Sequence, residues 1–388
     1  MRASWPLLLA SLLIAGCSTV PPRGTGDLGV VIERDAGRVQ VVDTTARASL
    51  GRVNGLGDLS HASVVFARDG RYAYVFGRDG GLTKVDLLLR RIDRRVMQAG
   101  NSIGGAISQD GRFVAAQNYA PGGVKVFDAV TLAPVADIPA VYGDGRLSKV
   151  VGLADAPGNR FVFSLFDAGE IWVADLADPA HPAITKFPAG KQPYDGLITP
   201  DGRHYIAGLF GEDGLALLDL WHPEQGVRRI LDGYGRGEQK LPLYKMPHLR
   251  GWAVAGTRAY LPAIGRHEIL VVDTQSWQET ARIPVAGQPV FAIVRPDGRQ
   301  VWVSFAFPDN QHVQVIDTES GRLVRTLEPG QAVLHLEFTP RGEAVWVSSR
   351  DDGKVTVYDT ARLEKLAELP AAAPSGIFFT HRAGRTVF

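Results

Sequence analysis

The feature that most constrains the fold of this chain is an eightfold repeat. A short strand of alternating apolar residues ends in Asp eight times, at Asp43, Asp86, Asp128, Asp175, Asp219, Asp273, Asp317 and Asp359. A tight turn, most often Asp-Gly-Arg, also recurs eight times and leads into a second apolar strand. Gly supplies the positive φ that such a turn needs, and the Asp side chain closes it.

A repeat of roughly 43 residues built from period-two strands has room for four short strands, which is the content of one propeller blade. The two-residue alternation excludes helical repeats. We therefore predict an all-β fold, an eight-bladed β-propeller over residues 28–388. The last turn, at Gly384, is followed only by residues 385–388, and the first Asp-ending strand, at Asp43, has no turn of its own before it. The N- and C-terminal strands should therefore close the ring in one shared blade. That closure gives residues 386–388 a structural role.

The N-terminal residues have the pattern of a lipoprotein signal. Arg2 precedes an apolar run that ends in Ile14-Ala15-Gly16-Cys17 and is too short to span a bilayer. Cys17 is the only cysteine, so an internal disulfide is excluded and lipidation explains this residue best. The alternative is a plain secretory signal followed by an incidental Cys.

We accordingly predict a signal peptide over residues 1–16, lipidation at Cys17 and a lipidated tether over residues 17–27. The protein should be anchored in the periplasm, and Ser18 slightly favours the outer membrane. A formal net charge of +1 without a long basic run argues against a nucleic-acid partner. No Cys-x-x-Cys-His motif is present, so we expect no covalently attached haem c.

In a propeller, the loops that enter the innermost strands rim a central funnel. Read around the ring, these loops contain three His and several cations: His61, Arg146, Lys149, Lys191, Lys245, His248, Arg250 and His335. Imidazole can ligate iron or donate a proton, and Lys and Arg bind carboxylates. His335, taken alone, fits a capped or surface side chain better than a ligand. The residues themselves predict a ligand-binding propeller with a mouth of His and cations.

Two stretches resemble the haem d1 domain of the cytochrome cd1 nitrite reductases. The first runs from His61-Ala62-Ser63 through the Gly77-Arg78-Asp79-Gly80 turn to Asp86, and the second is Pro247-His248-Leu249-Arg250-Gly251. In that family the His before the strand is the proximal iron ligand, and the turn Arg contacts a carboxylate of the macrocycle. The His of the second stretch faces the distal side of the iron.

The departures from that family are as informative. The nitrite reductases carry a cytochrome c domain and a second distal His, whereas this chain lacks the haem c motif and residues 290–296 contain no His. Nitrite reduction is therefore not expected. The resemblance instead implies binding of haem d1 or a late tetrapyrrole precursor in the periplasm, as part of haem d1 biosynthesis for denitrifying nitrite reductase. Expected partners are other haem d1 maturation proteins and the nitrite reductase.

From this resemblance we expect His61 to ligate the iron. The cations expected to pair with ring carboxylates are Arg78, Arg146, Lys149, Lys191 and Arg250. His248, Tyr194 and Asp195 are the candidates for proton transfer. Two roles stay open: late-stage modification of a tetrapyrrole side chain, or holding and transfer without turnover.

Two alternatives remain at this point. One is a non-enzymatic surface or scaffold propeller for adhesion or protein interaction. The other is a quinone-cofactor dehydrogenase, for which the recurring Trp pattern and a clear Ca²⁺-binding cluster of carboxylates are missing.

Overall fold

The structure, a computed structural model, describes residues 23–235 and 251–384. These residues form eight four-stranded antiparallel sheets and one two-stranded sheet. The helices that lie wholly within the described ranges are short 3-10 turns at Arg34–Ala36, Pro223–Gln225 and Thr380–Gly384. The predicted all-β, eight-bladed β-propeller is confirmed. No helix within the described part of the chain is long and apolar enough to cross a membrane.

We number the strands along the chain and list each blade from its innermost strand outward. Blade 1 contains β4 (Ser63–Phe66), β5 (Tyr72–Phe76), β6 (Gly81–Asp86) and β7 (Arg91–Met97). Blade 2 contains β8 (Asn101–Ile107), β9 (Phe113–Ala120), β10 (Val124–Asp128) and β11 (Pro134–Ile138). The two-stranded sheet, β12 (Val141–Tyr142) and β13 (Arg146–Leu147), follows as a hairpin. Blade 3 contains β14 (Val150–Ala156), β15 (Arg160–Leu165), β16 (Glu170–Asp175) and β17 (Ala183–Pro188).

The second half of the ring repeats this plan. Blade 4 contains β18 (Pro193–Ile198), β19 (His204–Leu209), β20 (Leu215–Asp219) and β21 (Val227–Ile230). Blade 5 contains β22 (Ala253–Ala255), β23 (Arg258–Pro262), β24 (Glu268–Asp273) and β25 (Gln278–Pro284). Blade 6 contains β26 (Pro289–Val294), β27 (Gln300–Phe305), β28 (Val313–Asp317) and β29 (Arg322–Leu327). Blade 7 contains β30 (Val333–Phe338), β31 (Ala344–Ser349), β32 (Lys354–Asp359) and β33 (Lys365–Pro370).

Blade 8 closes the ring with strands from both ends of the chain. Its innermost strand is β34 (Pro374–Phe379), followed outward by β1 (Leu28–Glu33), β2 (Arg38–Asp43) and β3 (Ala48–Val53). Strand β1 pairs with β34 on one side and with β2 on the other. The predicted shared blade is confirmed, and β34 is the C-terminal strand that completes it. Residues 386–388 lie outside the described residues.

In blades 1 and 4, the two sequence markers of the repeat meet in space and form an ion pair. In blade 1, Asp69 accepts a hydrogen bond from the Arg71 backbone N–H at 2.9 Å, and the Arg71 guanidinium pairs with Asp86 at 2.8 Å. Blade 4 repeats this ion pair between Arg203 and Asp219 at 2.7 Å. Burial alone would raise the pKa of Asp86, but Arg71 and nearby backbone N–H groups hold it below its usual value. These markers are therefore structural.

Because neighbouring strands are antiparallel, the loops alternate between the two faces of the propeller. We call upper the face that carries the loops entering the innermost strands and the loops between second and third strands. The lower face carries the turns between first and second strands and those between third and fourth strands. The innermost strands contact one another around the axis, for example β4 with β8 and β14 with β18. They enclose the space in which a ligand could lie.

Candidate functional site

A cavity of about 680 Å³ runs along the axis and is lined by residues from all eight blades. This volume falls within the range of about 300–1,000 Å³ that small-molecule pockets occupy. Most of the wall is apolar, as at Val151, Leu197 and Ile293, and a few polar side chains interrupt it. An apolar pocket with few converging polar groups is typical of a cofactor or small-molecule site.

His61 lies at the mouth of this cavity. It precedes β4 by two residues, is exposed, and is part of the cavity lining together with Ser63. The structure thus places the predicted iron ligand on the upper face, where its imidazole borders the cavity.

Arg78, Tyr194 and Asp195, three predicted site residues, are brought together with one that sequence reasoning missed, Tyr119. The Tyr119 and Tyr194 hydroxyl oxygens lie 2.8 Å apart, and the Arg78 guanidinium carbon lies 5.9 Å from the centre of the Tyr119 ring. Tyr194 and Asp195 line the cavity. Burial raises the pKa of both phenols, so both stay protonated and able to donate at neutral pH.

A β-bulge aims Asp195 at the cavity. The register of β18 shifts between Tyr194 and Leu197, and Asp195 has a φ of +60°, which is unusual for a residue other than Gly. The neighbouring strand makes room through Gly152: a Cβ there would lie 2.3 Å from the Asp195 carbonyl. Only glycine fits at this contact, so the position of the carboxylate depends on it.

Three of the predicted cations, Arg146, Lys149 and Lys191, lie in or next to upper-face loops and are not part of the cavity lining. The Lys149 ammonium pairs with Asp167 at 3.1 Å. Arg146 is exposed on the β12–β13 hairpin, where its guanidinium carbon lies 4.7 Å from the centre of the Tyr142 ring. Lys191 is exposed as well. The rim can therefore offer positive charge to ligand carboxylates that project from the mouth.

Aromatic side chains form a second group that the sequence analysis did not single out. The Phe166 ring lies 6.0 Å from the Tyr194 ring and 5.8 Å from the Phe210 ring. Phe166 and Phe210 each follow directly after the second strand of a blade, and Tyr119 lies near the end of the corresponding strand, β9. Comparing this second set of upper-face loops across blades would have found them. Phe166 packs beside Tyr194, which lines the cavity, whereas neither Phe ring is itself part of the lining.

His335 differs from the capped or surface side chain expected for it, because it lines the cavity on β30. Its Nδ1 accepts a hydrogen bond from the Ile377 backbone N–H at 3.2 Å, and its ring lies 5.3 Å from the Phe378 ring. Burial lowers the pKa of His335 to about 4. The imidazole is therefore neutral at pH 7, and because Nδ1 is an acceptor, Nε2 carries the proton.

An ion pair lies toward the lower end of the cavity. Arg382, which lines the cavity, donates from Nε to Glu337 Oε1 at 2.7 Å, and Glu337 is buried. Burial alone would raise the pKa of Glu337, but the Arg382 charge and hydrogen bonds hold it below its usual value. This carboxylate is consequently ionised at neutral pH and belongs to the lower closure of the channel.

Some predicted site residues lie outside the described ranges. These are His248 and Arg250, with Lys245, in the stretch before blade 5, and Cys17 at the N-terminal end.

Comparison with known proteins bears directly on this cavity. The family model described as the cytochrome D1 heme domain matches residues 23–383. Protein NirF of Pseudomonas aeruginosa is 63% identical over 387 residues, which cover 99% of this chain and 98% of that protein. Protein NirF of Stutzerimonas stutzeri is 62% identical over 98% of both chains.

A more distant relative is the dihydro-heme d1 dehydrogenase of Pseudomonas aeruginosa, 30% identical over 92% of this chain and 73% of its own length. Among solved structures, dihydro-heme d1 dehydrogenase NirN in complex with DHE matches with a TM-score of 0.82 and 27% identity. That match covers 95% of this chain and 78% of the other.

Proposed function

Because this chain belongs to the cytochrome D1 heme domain family, we propose that it binds haem d1 or a late tetrapyrrole precursor and takes part in haem d1 biosynthesis for denitrifying nitrite reductase. The observation that carries the proposal is the axial cavity with His61 at its mouth. A d1-type tetrapyrrole is a flat ring with carboxylate side chains and a central iron. The apolar and aromatic walls, the imidazole and the cationic rim fit these three features.

The residues of this chain have distinct roles in that site. His61 offers a nitrogen to the iron, and Arg78 offers its guanidinium to a ring carboxylate beside Tyr119. Arg146, Lys149 and Lys191 attract the remaining carboxylates at the rim. Of the residues before blade 5, His248 is proposed to face the distal side and Arg250 to bind a carboxylate.

Proton transfer, if the protein turns its ligand over, would use groups that line the cavity. Tyr194 is kept protonated by burial and can donate, Asp195 can accept, and the His335 Nε2–H is a fixed donor. A site with these groups can either modify a side chain of the tetrapyrrole or hold it without change.

The first test is a visible-absorption titration with haem d1 of the protein lacking residues 1–17. We expect a Soret shift in the wild type and, in His61→Ala, an altered band and at least about tenfold weaker binding, since an iron ligand is lost. The matched control is His267→Ala, an exposed upper-face His that does not line the cavity. Absence of any shift with haem d1 or its precursors would contradict the proposal and favour a non-enzymatic scaffold.

A second measurement separates the enzyme from the carrier. The bound tetrapyrrole is extracted after incubation and its mass determined. A mass change that is lost in Tyr194→Phe or Asp195→Asn would identify a catalysed side-chain modification. An unchanged mass, together with transfer of the pigment to haem-free nitrite reductase, would identify a holding and transfer protein.

The lipoprotein pattern completes the proposal. Lipidation of Cys17 would anchor the protein in the periplasm, with the outer membrane slightly favoured by Ser18. Mass spectrometry of the N-terminal peptide should show a diacylglycerol on Cys17. A mature N-terminal peptide whose Cys17 carries no lipid would contradict this anchor.

A further inference from the structure

One polar side chain reaches the cavity from behind the innermost strands. Gln117 lies on β9, the second strand of blade 2, and is the only second-strand residue in the cavity lining that the described residues form. Its partner in the ladder between β8 and β9 is Gly104, which has no side chain to cover it. Gln117 is nevertheless buried, with 4% of its surface exposed.

The repeat shows how unusual this residue is. Gln117 comes four residues after Phe113, the residue that pairs with the marker Asp128. The same position in the other blades is held by short or apolar residues, none of which lines the cavity: Ile32, Phe76, Ser164, Gly208, Pro262, Ser304 and Ser348. Blade 2 alone places a long polar side chain there.

The amide of Gln117 is held in one orientation. Its Oε1 accepts a hydrogen bond at 2.7 Å from the backbone N–H of Leu153, on the innermost strand of blade 3. Because a backbone N–H can only donate, the amide atom that faces it must be the oxygen, and Nε2 with its two hydrogens takes the other side. A Cβ on Gly104 would lie 3.4 Å from this Nε2 and 3.0 Å from the Ser63 hydroxyl oxygen. The amide and the hydroxyl therefore flank the same gap.

Ser63 adds a second donor at this gap. It belongs to the cavity lining, and its buried hydroxyl has no hydrogen-bond partner within the part of the chain that the structure describes. A buried hydroxyl without a partner is unfavourable, and an acceptor atom on a bound ligand would supply that partner.

The donors at the gap are uncharged. Arg382 is the only Lys or Arg side chain in the lining formed by the described residues, and it pairs with Glu337. A ligand carboxylate buried against neutral donors would keep an uncompensated charge, which is costly. The carboxylates of a ligand are better placed beside the cations of the upper-face loops, and the gap fits an uncharged acceptor such as a carbonyl oxygen.

We propose that Gln117 and Ser63 donate hydrogen bonds to a carbonyl oxygen on the edge of the tetrapyrrole, and that this contact selects pigments with an oxo group on the macrocycle. Haem d1 carries such oxo groups, whereas protohaem carries none. The inference rests on the proposed binding of haem d1 and names the part of the pigment that these two residues recognise.

The test measures the affinity and the hydrogen bond itself. Haem d1 is titrated into the wild type, Gln117→Met and Ser63→Ala, and infrared spectra of the bound pigment record the stretching band of its ring carbonyls. A hydrogen bond weakens the C=O bond and lowers the frequency of this band. We expect each variant to bind haem d1 about fivefold more weakly, the effect of one hydrogen bond, and to show the band at a higher frequency than the wild type.

The two variants complement each other. Gln117→Met also leaves the Leu153 N–H without its acceptor, so this variant can lose stability. Ser63→Ala breaks no hydrogen bond within the described residues and remains informative if Gln117→Met does not fold. Protohaem, which has no oxo group, should not distinguish the wild type from either variant.

Ser304→Ala is the matched control. Ser304 holds the repeat position of Gln117 in blade 6, and its buried hydroxyl also lacks a partner among the described residues, but it does not line the cavity. This variant should keep the wild-type affinity and carbonyl band. Unchanged carbonyl bands in both Gln117→Met and Ser63→Ala would overturn the proposal, even if the affinity falls. A wild type that does not bind haem d1 would instead contradict the proposed function.

Discussion

The hydroxyl of Tyr194 depends on its neighbour Tyr119, a residue that does not line the cavity. When Tyr119 donates to Tyr194, the Tyr194 hydrogen points to whatever fills the cavity. We expect Tyr119→Phe to remove this orientation and to weaken haem d1 binding about fivefold, the equivalent of about 1 kcal/mol for one hydrogen bond. Absorption titrations of the wild type and the variant measure this difference.

The control for this variant is Tyr74→Phe. Tyr74 is buried and donates to the Ala129 carbonyl at 2.6 Å, toward the lower face and away from the cavity lining. Its loss should lower the free energy of unfolding by about 1 kcal/mol without a change in haem d1 affinity. If both variants bind haem d1 as the wild type does, Tyr119 has no part in the site.

His335 gives the ligand-free protein a pH-dependent stability. Its pKa falls from 6.5 to about 4 on folding because it is buried. Between these values the unfolded chain takes up a proton that the native state does not, so stability is full above pH 6.5 and falls as the pH is lowered. From pH 7 to pH 5 the loss should be about 2 kcal/mol.

Urea unfolding at the two pH values measures this loss, and His335→Asn supplies the comparison. Asn retains a side-chain oxygen to accept the Ile377 N–H but does not titrate, so most of the extra loss should vanish in the variant. Other groups, such as His204, whose pKa is lowered mainly by burial, contribute equally to both proteins. An identical pH dependence in wild type and variant would contradict the assignment to His335.

Sequence analysis located some of these site residues and missed the roles of others, and this difference has a physical reason. His61, Tyr194 and Asp195 occupy one recurring position of the repeat, so comparing blades was enough to bring them to one surface. Tyr119 acquires its role only from a partner 75 positions away on another blade. His335 is half-buried between rings from blades 6 and 8, at Phe291 and Phe378, and neither contact leaves a local signal in the sequence.

At the scale of elements, the Glu337–Arg382 pair joins blade 7 to the 3-10 turn that follows β34. Arg382→Leu would leave the buried Glu337 carboxylate without its counter-charge, and we expect the free energy of unfolding to fall by about 3 kcal/mol. Urea unfolding at pH 7 checks this value. Glu337→Leu combined with Arg382→Leu should recover most of the loss, because no unpaired charge remains buried.

A different result would show that Arg382 acts in ligand binding and not in stability. If Arg382→Leu unfolds like the wild type while its haem d1 affinity drops, Arg382 serves the ligand and not the closure. An exposed pair such as Arg362–Glu364 on the lower face offers the matched control, since its loss should change stability by less than about 1 kcal/mol.

The β12–β13 hairpin is an element that the sequence analysis did not predict. Sequence reasoning placed Arg146 in a plain mouth loop, whereas residues 141–147 form a short ladder of two register pairs. Such a ladder has no alternating run long enough to be recognised, and its Gly143 and Gly145 are also typical of loops. The blades, by contrast, repeat eight times, so each copy supports the interpretation of the others.

At the scale of the whole molecule, equal numbers of turn and strand markers were enough to predict a closed ring. They did not show which C-terminal residues close it, because β34 itself carries neither marker. Strand β1 already has both of its neighbours without residues 385–388, since it pairs with β34 and β2. Two truncations therefore separate the residues that close the ring from those that follow.

A protein that ends at Gly384 should keep the wild-type unfolding midpoint and its haem d1 affinity. A protein that ends at Ala373 loses β34, whose Ile377 and Phe379 are buried, and exposes the edge of β1. Burial of these two side chains contributes about 4 kcal/mol, so we expect a large drop in the unfolding midpoint and aggregation through the open edge. If the protein that ends at Gly384 is destabilised as much as the one that ends at Ala373, residues 385–388 take part in closing the ring. The repeat indicated this role for residues 386–388.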